Sequence, residues 1–272
     1  METLVEMWSF PFMRNALIAG LMLGLLCSYY GVFIVQRGMA FLGEGLAHAA
    51  FGGVALALLL GWTPLWVAFP FTLAVSLGIV YLKDKTDLAG DTTIGIFFAL
   101  SVALGVLFLG LKKTYTVDAF SYLFGSILSV GVSDLWIVGI LLIVSVVLIP
   151  LTWSRLAYIT FDAELARSDG VSVRFLDYFL ATMVALVVVA AAKVVGTVLV
   201  ASLLVIPAAT ARMWSSTLYR MTWFSCLVGV VSTSIGLGVS YILDVPSGST
   251  VILSQGFCFM VAVLGRRVFQ KG

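Results

Sequence analysis

The sequence predicts an all-α polytopic membrane protein, and three observations carry that reading. Hydrophobic residues make up 62% of the 272-residue chain and charged residues 10%, against roughly 45–50% and about 25% in an ordinary soluble domain. Charge-free runs recur from end to end, and the polar breaks between them are mostly short. A hydrocarbon core of ~30 Å takes ~20 helical residues, so each run is long enough to cross or nearly so. The runs are 15–35, 40–60, 64–82, 92–111, 135–154, 178–192, 194–211, 221–243 and 245–265. Together they make one transmembrane domain over 1–272, with nine crossings, or eight if one is partial.

The first run follows Met1-Glu2-Thr3-Leu4-Val5-Glu6, which is acidic where a secretory signal is basic, so it is expected to be retained as a span. Within it, Gly20 and Gly24 are spaced to let another helix come close. The run 40–60 is the only one that tolerates ionisable groups, Glu44 and His48. Asp91-Thr92-Thr93 is expected to cap the fourth span. The stretch 119–133 is uncharged but short and rich in Gly and Ser, and reads as a partial or re-entrant helix. Pro207 removes a backbone donor, so the seventh span is expected to kink or break there. Lys193, just outside that span, is expected to snorkel to the interface. Cys27, Cys226 and Cys258 each lie in an apolar run and imply no disulfide framework.

Orientation follows from the Lys and Arg tally of short loops. With the N-terminus outside and the C-terminus cytoplasmic, Arg37, Lys83, Lys85, Arg155, Arg167, Arg174, Arg212, Arg220, Arg266, Arg267 and Lys271 fall inside, leaving Arg14, Lys112, Lys113 and Lys193 outside. A full crossing at 119–133 would invert everything after it, which favours the re-entrant reading. The net charge of +2 and the lack of any basic cluster exclude nucleic acid as a partner.

His48 is the only histidine of the chain, four residues after Glu44 in Gly43-Glu44-Gly45-Leu46-Ala47-His48. That spacing stacks the two side chains on one helix face. Ionisable groups inside a span are costly enough that they usually face a pathway or a partner. A carboxylate oxygen with an imidazole nitrogen suits zinc, manganese or ferrous iron. Two ligands are too few for tight capture, which fits transit better than storage, and a second copy of the chain would supply two more. Counted from Ala40 at ~1.5 Å per residue, the pair lies ~6 and ~12 Å into the span. The competing reading is structural, with His48 hydrogen-bonded across a helix interface.

The one long polar connection, 155–174, holds a short helix with its own punctuation. Asp162 is placed to cap it, Phe161, Leu165 and Ala166 give an apolar edge, and Gly170 suits a left-handed stop. Such an element on the inner face can dock in a groove of a soluble partner.

Several stretches together resemble the membrane permeases of bacterial metal-uptake ABC transporters, which import zinc, manganese or iron. They are Met39-Ala40-Phe41-Leu42-Gly43-Glu44-Gly45-Leu46-Ala47-His48-Ala49, Asp91-Thr92-Thr93-Ile94-Gly95, Val117-Asp118-Ala119-Phe120-Ser121-Tyr122-Leu123-Phe124-Gly125, the 162–170 loop, Lys193-Val194-Val195-Gly196, Ile206-Pro207-Ala208-Ala209-Thr210-Ala211 and Asp244-Val245-Pro246-Ser247-Gly248. Tyr-Leu-Phe-Gly and Lys-Val-Val-Gly lean toward the high-affinity zinc branch. The resemblance implies a type II importer permease, related in architecture to vitamin B12 importers. It implies a homodimer, a cytoplasmic ATPase on another chain that contacts the 162–170 helix, an extracellular or periplasmic metal-binding protein, and no permanently bound cofactor. In that family the metal-contacting pair is usually Asp and His at the positions of Glu44 and His48. Here the acid is one methylene longer and Gly45 stands where the family tends to carry a larger residue.

The chain has no Gly-x-x-x-x-Gly-Lys-Ser/Thr loop, so hydrolysis has to come from a partner. Two rival readings remain at this level: a secondary transporter with Glu44 as its proton or ion carrier, and an intramembrane hydrolase with His48 as base. The second lacks any nucleophile motif such as Gly-x-Ser-x-Gly.

Overall fold

The computed structural model describes residues 10–86, 88–112, 127 and 130–269, with side chains as far as Arg266. In chain order the helices are α1 Pro11–Gln36, α2 Leu42–Leu60, α3 Pro64–Lys85, α4 Gly90–Leu111, α5 Val132–Phe161, α6 Ala163–Ser168, α7 Val173–Val195, α8 Thr197–Trp214, α9 Leu218–Leu243 and α10 Ser247–Phe269. All except the six-residue α6 are long and apolar enough to cross a membrane, which gives nine candidate spans among the described residues.

Local chemistry sets the ends of these helices. Pro11 and Pro64 occupy first-turn positions, where their missing N–H costs nothing. Gly61 closes α2 at φ 71°, in the left-handed region that glycine adopts without strain. The N-terminus of α5 is held by Asp134, whose Oδ2 accepts from the Gly131 N–H at 3.2 Å.

Inside a bilayer, apolar burial gives little drive for helix association, so close packing and interhelical hydrogen bonds hold the bundle. The core lies between α1, α2, α7 and α8, with Leu23, Leu26, Phe33, Leu46, Leu203 and Leu204 fully buried. Gly24 and Gly229 bring α1 and α9 together as the spacing of Gly20 and Gly24 predicts: a Cβ on Gly24 would lie 3.0 Å from the Gly229 carbonyl. Ser225 Oγ seals that contact by donating to the Ser28 carbonyl at 2.9 Å. Ser76 Oγ likewise ties α3 to α7 through the Ala181 carbonyl at 2.9 Å. On the flanks, α4 packs mainly on α2, while α9 and α10 pack on α8 and on each other.

Polar contacts sort the helix ends onto two faces. At one face Arg37 Nε donates to Thr160 Oγ1 at 3.0 Å and Arg37 Nη1 pairs with Asp177 at 2.5 Å, while Arg174 pairs with Asp84 at 3.1 Å. These contacts gather the C-terminal ends of α1, α3 and α5 with the start of α7. Burial presses the Arg37 guanidinium below its usual pKa, and Asp177 opposes that shift. Because Lys83, Lys85, Arg167, Arg212 and Arg220 also lie at helix ends of this side, with Arg155 less than two turns before one, we call it the basic face. At the opposite face Lys193 Nζ pairs with Asp134 at 2.5 Å and Asn15 donates to the Val130 carbonyl at 3.4 Å. Since α4 ends and α5 begins at this opposite face, the flanking helices stand as the re-entrant reading of 119–133 requires. That stretch, apart from Ile127 and residues 130–133, lies outside the described residues, as does the 117–125 motif.

Four expectations need correction. Helix α5 runs thirty residues, well past 154; Arg155 ends the apolar span but not the helix, which continues for about two turns beyond it. Helix α8 runs unbroken through Pro207, so the expected kink or break is not a break, and the interruption falls at Gly196, whose φ of 85° and ψ of 162° separate α7 from α8. That backbone region is essentially restricted to glycine. Lys193 does not simply snorkel but pairs with Asp134. Asp91 does not cap α4: Ala89 is the cap residue, with no side-chain cap bond, and Asp91 lies within the first turn.

Candidate functional site

Helix α2 is packed by α3, α4, α7 and α8, and its glycines explain how four neighbours fit. A Cβ on Gly43 would lie 2.6 Å from Leu204 Cδ1, on Gly52 2.9 Å from the Ser101 carbonyl, and on Gly53 2.7 Å from Ala68 Cα. Over residues 42–55 every position of α2 is buried except Glu44 and His48. The helix is closed on all sides but one narrow stripe, and both ionisable side chains stand in it. The sequence had marked these residues by their cost; their shared opening comes from the packing around them.

The pair converges as the spacing predicts. His48 Nε2 and Glu44 Oε1 lie 3.0 Å apart, with side chains 24% and 36% exposed. The imidazole meets the edge of the Phe98 ring on α4, with centroids 4.8 Å apart and planes at 80°. Next to Glu44 opens a recess of about 510 Å³ lined by Phe41, Glu44, Gly45, Asp91, Thr92, Ile94, Gly95 and Phe98. Helix α2 begins at Leu42, so at ~1.5 Å per residue Glu44 lies ~3 Å and His48 ~9 Å from its start. Both are shallower, nearer the basic face, than counting from Ala40 suggested.

Two donors 3.0 Å apart suit a bidentate grip. Ligands ~2.1 Å from a cation stand about 3.0 Å apart at a right angle and about 3.4 Å apart at a tetrahedral angle. The pair therefore accepts either geometry with a shift of at most a few tenths of an ångström. Nothing else of the described residues completes a set: no group of three or more His, Cys, Asp or Glu side chains converges among them.

The connection after α5 holds the short helix α6. Asp162 Oδ1 accepts from the Leu165 N–H at 2.8 Å, and Gly170 takes φ 80°, so the cap and the stop are where the sequence placed them. The apolar edge is divided. Ala166 turns inward and is fully buried, while Phe161 and Leu165 are exposed. Phe175, on the first turn of α7, is exposed too and lines a small cavity with Arg155, Gly170 and Val171. Tyr158 donates to Asp169, and the Val171 N–H reaches the Ala166 carbonyl at 2.9 Å, which fixes α6 to the ends of α5 and α7. Pro207 is buried in α8, away from this surface and from the recess lining.

Phe98 and Asp91 were missed as neighbours of the pair. Their i, i+7 spacing on one face of α4 was legible, but only the packing of α4 against α2 shows that this face meets Glu44 and His48.

Known proteins resemble this chain along nearly its whole length. Residues 9–266 match the model of the ABC 3 transport family. The manganese transport system membrane protein MntC of Listeria monocytogenes is 35% identical over 94% of this chain and 91% of its own length. The high-affinity zinc uptake system membrane protein ZnuB of Haemophilus influenzae is 33% identical over 94% and 98%. Among solved structures, PsaBC from Streptococcus pneumoniae in complex with Fab superimposes with a TM-score of 0.83 at 33% identity, covering 96% of this chain and 94% of that one. An inward-facing putative metal-chelate type ABC transporter shares the fold, with a TM-score of 0.73 at 19% identity over 93% and 86%.

Proposed function

The chain belongs to the ABC 3 transport family, and from that premise we propose that it is the membrane-spanning subunit of an ATP-driven importer that passes a divalent transition metal between Glu44 and His48. The observation that carries the site is the single open stripe of α2. A carboxylate and an imidazole left against acyl chains would be costly, so the stripe is covered by protein in the working assembly. A second copy of the chain meets that need: a two-fold axis near the stripe would set two Glu44–His48 pairs around one cation, giving two oxygens and two nitrogens. That set serves zinc as a tetrahedral site and manganese as an octahedral one with two waters.

The relatives named for manganese and for zinc both support a metal cargo, and zinc, manganese and iron all remain candidates. Energy comes from a separate ATP-binding subunit, which docks on Phe161, Leu165 and Phe175 around α6. A metal-binding protein delivers the ion at the face where Lys193 and Asp134 pair. The basic face is cytoplasmic by the charge bias, with the N-terminus outside. ATP binding and docking of the loaded donor bias two packings of the dimer, so that the Glu44–His48 stripe communicates first outward and then inward.

Uptake by cells lacking their own metal importers tests this reading, with manganese, zinc and iron limitation applied separately and cell metal content measured. His48→Ala is expected to abolish uptake of the cargo metal while inserting normally in the membrane. Normal uptake by that variant would defeat the site assignment.

A further inference from the structure

We propose that Phe98 is the positioning residue of the metal site, holding the His48 imidazole at the angle in which Nε2 meets a cation beside Glu44. This deepens the reading above and rests on that pair binding the metal.

The backbone of α2 has little freedom here. A Cβ on Gly43, Gly52 or Gly53 would lie 2.6, 2.9 or 2.7 Å from the nearest atom of a neighbouring helix, so what is left to be set at the site is the torsion of the side chains. The last torsion of a histidine is broad and roughly two-fold. Two contacts hold the ring. One is Nε2 to Glu44 Oε1 at 3.0 Å, and this is the contact that a cation takes over when it enters between the two donors. A metal-binding histidine ordinarily keeps its orientation through its other ring nitrogen, which donates to a carboxylate or a carbonyl. Among the described residues His48 Nδ1 has no such partner, the Glu44 contact being the only hydrogen bond of this side chain. The second contact is the Phe98 ring, with centroids 4.8 Å apart and planes at 80°. An edge-to-face pair has a preferred geometry, so it sets the imidazole plane with or without the metal.

Phe98 is itself held in place. Ile94, Phe98, Ser101 and Gly105 follow at intervals of four, three and four residues, which puts them on one stripe of α4. Along that stripe Ile94 Cγ2 lies 2.8 Å from a Cβ on Gly45, the Ser101 carbonyl 2.9 Å from one on Gly52, and Phe51 Cε1 3.1 Å from one on Gly105. Ile94 and Ser101 are 1% and 2% exposed. The Phe98 ring is thus carried between two tight contacts with α2, one turn to either side. A hydrocarbon ring orients the ligand without offering the cation an oxygen or nitrogen. It also leaves the imidazole less basic than a carboxylate partner would, which suits a site that has to release what it binds.

The test uses the full chain, purified without a polyhistidine tag and reconstituted in lipid vesicles with 13C,15N-labelled histidine. His48 is the only histidine, so the imidazole signals in solid-state NMR have one source. The first measurement is made without metal and with Glu44→Ala, which removes the other hold on the ring. The imidazole is expected to keep most of its 1H–13C dipolar coupling there, to lose it when Phe98→Leu is added, and to regain it with Phe98→Tyr in place of Phe98→Leu. The second measurement titrates Mn2+ or Zn2+ alone into chains that keep Glu44. Phe98→Leu is expected to bind about fivefold more weakly, or ~1 kcal/mol at ~1.4 kcal/mol per tenfold, as the cost of ordering one side chain implies; Phe98→Tyr is expected to bind as the native chain does. A mobile imidazole in Glu44→Ala overturns the proposal, as does a ring that stays ordered when Phe98→Leu is added, native affinity in Phe98→Leu, or failure of Phe98→Tyr to restore both readouts. His48→Ala, run alongside, is expected to lose the metal; if it binds as the native chain does, the pair is not the metal site and the proposal falls with it, however firmly Phe98 holds the ring.

Discussion

Replacing Gly45 with alanine tests how tightly α2 and α4 are held together beside the pair. A Cβ at that position would lie 2.8 Å from Ile94 Cγ2, while carbon atoms rest at about 3.5–4.0 Å. The helices would have to part by about 0.7 Å or Ile94 would have to turn. Ile94 is 1% exposed, and its Cγ2 hangs directly on a branched Cβ that prefers one rotamer in a helix. Overpacking of this kind costs about 1–3 kcal/mol, whereas alanine for glycine in a helix returns about 1 kcal/mol. The net is a destabilisation of roughly 0–2 kcal/mol. Gly95→Ala is the matched control, since nothing lies within 4 Å of its Cβ, and it should gain up to about 1 kcal/mol. Thermal unfolding of the purified variants in detergent should therefore rank Gly95→Ala above the native chain and Gly45→Ala at or below it. Uptake should fall in Gly45→Ala, because parting α4 from α2 draws Phe98 away from His48. A Gly45→Ala chain more stable than Gly95→Ala, with full uptake, would refute the packing at the recess.

Lys193→Met leaves the Asp134 carboxylate, 14% exposed, without its partner and should cost about 2 kcal/mol of stability, partly solvated groups costing less than fully buried ones; adding Asp134→Asn, which is neutral but keeps an acceptor for the Gly131 N–H, should recover most of it, and an equal or greater loss in the double variant would show that the pair does not couple α5 to α7. Asp162→Ala removes the cap of α6 at a cost of about 1 kcal/mol in that turn, so ATP-driven uptake should drop at unchanged membrane abundance while Asp162→Asn keeps it; equal uptake in both would separate the cap from coupling. Ser168→Cys, in a chain whose three native cysteines are replaced, should react with impermeant thiol reagents only in inside-out vesicles, and labelling of intact cells would reverse the orientation.

Periodicity and charge made most of the fold legible, because a bilayer forces apolar length and positive-inside bias to coincide with helix boundaries. Glu44 and His48 could be singled out for the same reason, because ionisable groups inside a span are costly. What escaped the sequence depends on tertiary packing. Helix α8 continues through Pro207, and the interruption falls at Gly196, which the run 194–211 had counted within the span. Lys193 found Asp134 from 59 positions away, a pairing no local pattern encodes. Asp91 was read as a cap because Asp before an apolar run usually is one, while its place beside Glu44 follows from how α4 lies on α2. Ala166 completes a plausible apolar stripe on paper, yet its small size is what lets α6 press against the bundle.

The most direct measurement is X-ray absorption at the metal edge of the purified permease loaded with manganese or zinc. Because His48 is the only histidine in the chain, any imidazole scattering beyond the nearest ligand shell has one source. The native protein should show that outer-shell signature, and His48→Ala should lose it together with most of the bound metal. Identical spectra from the two proteins would mean that the cation travels without touching the imidazole.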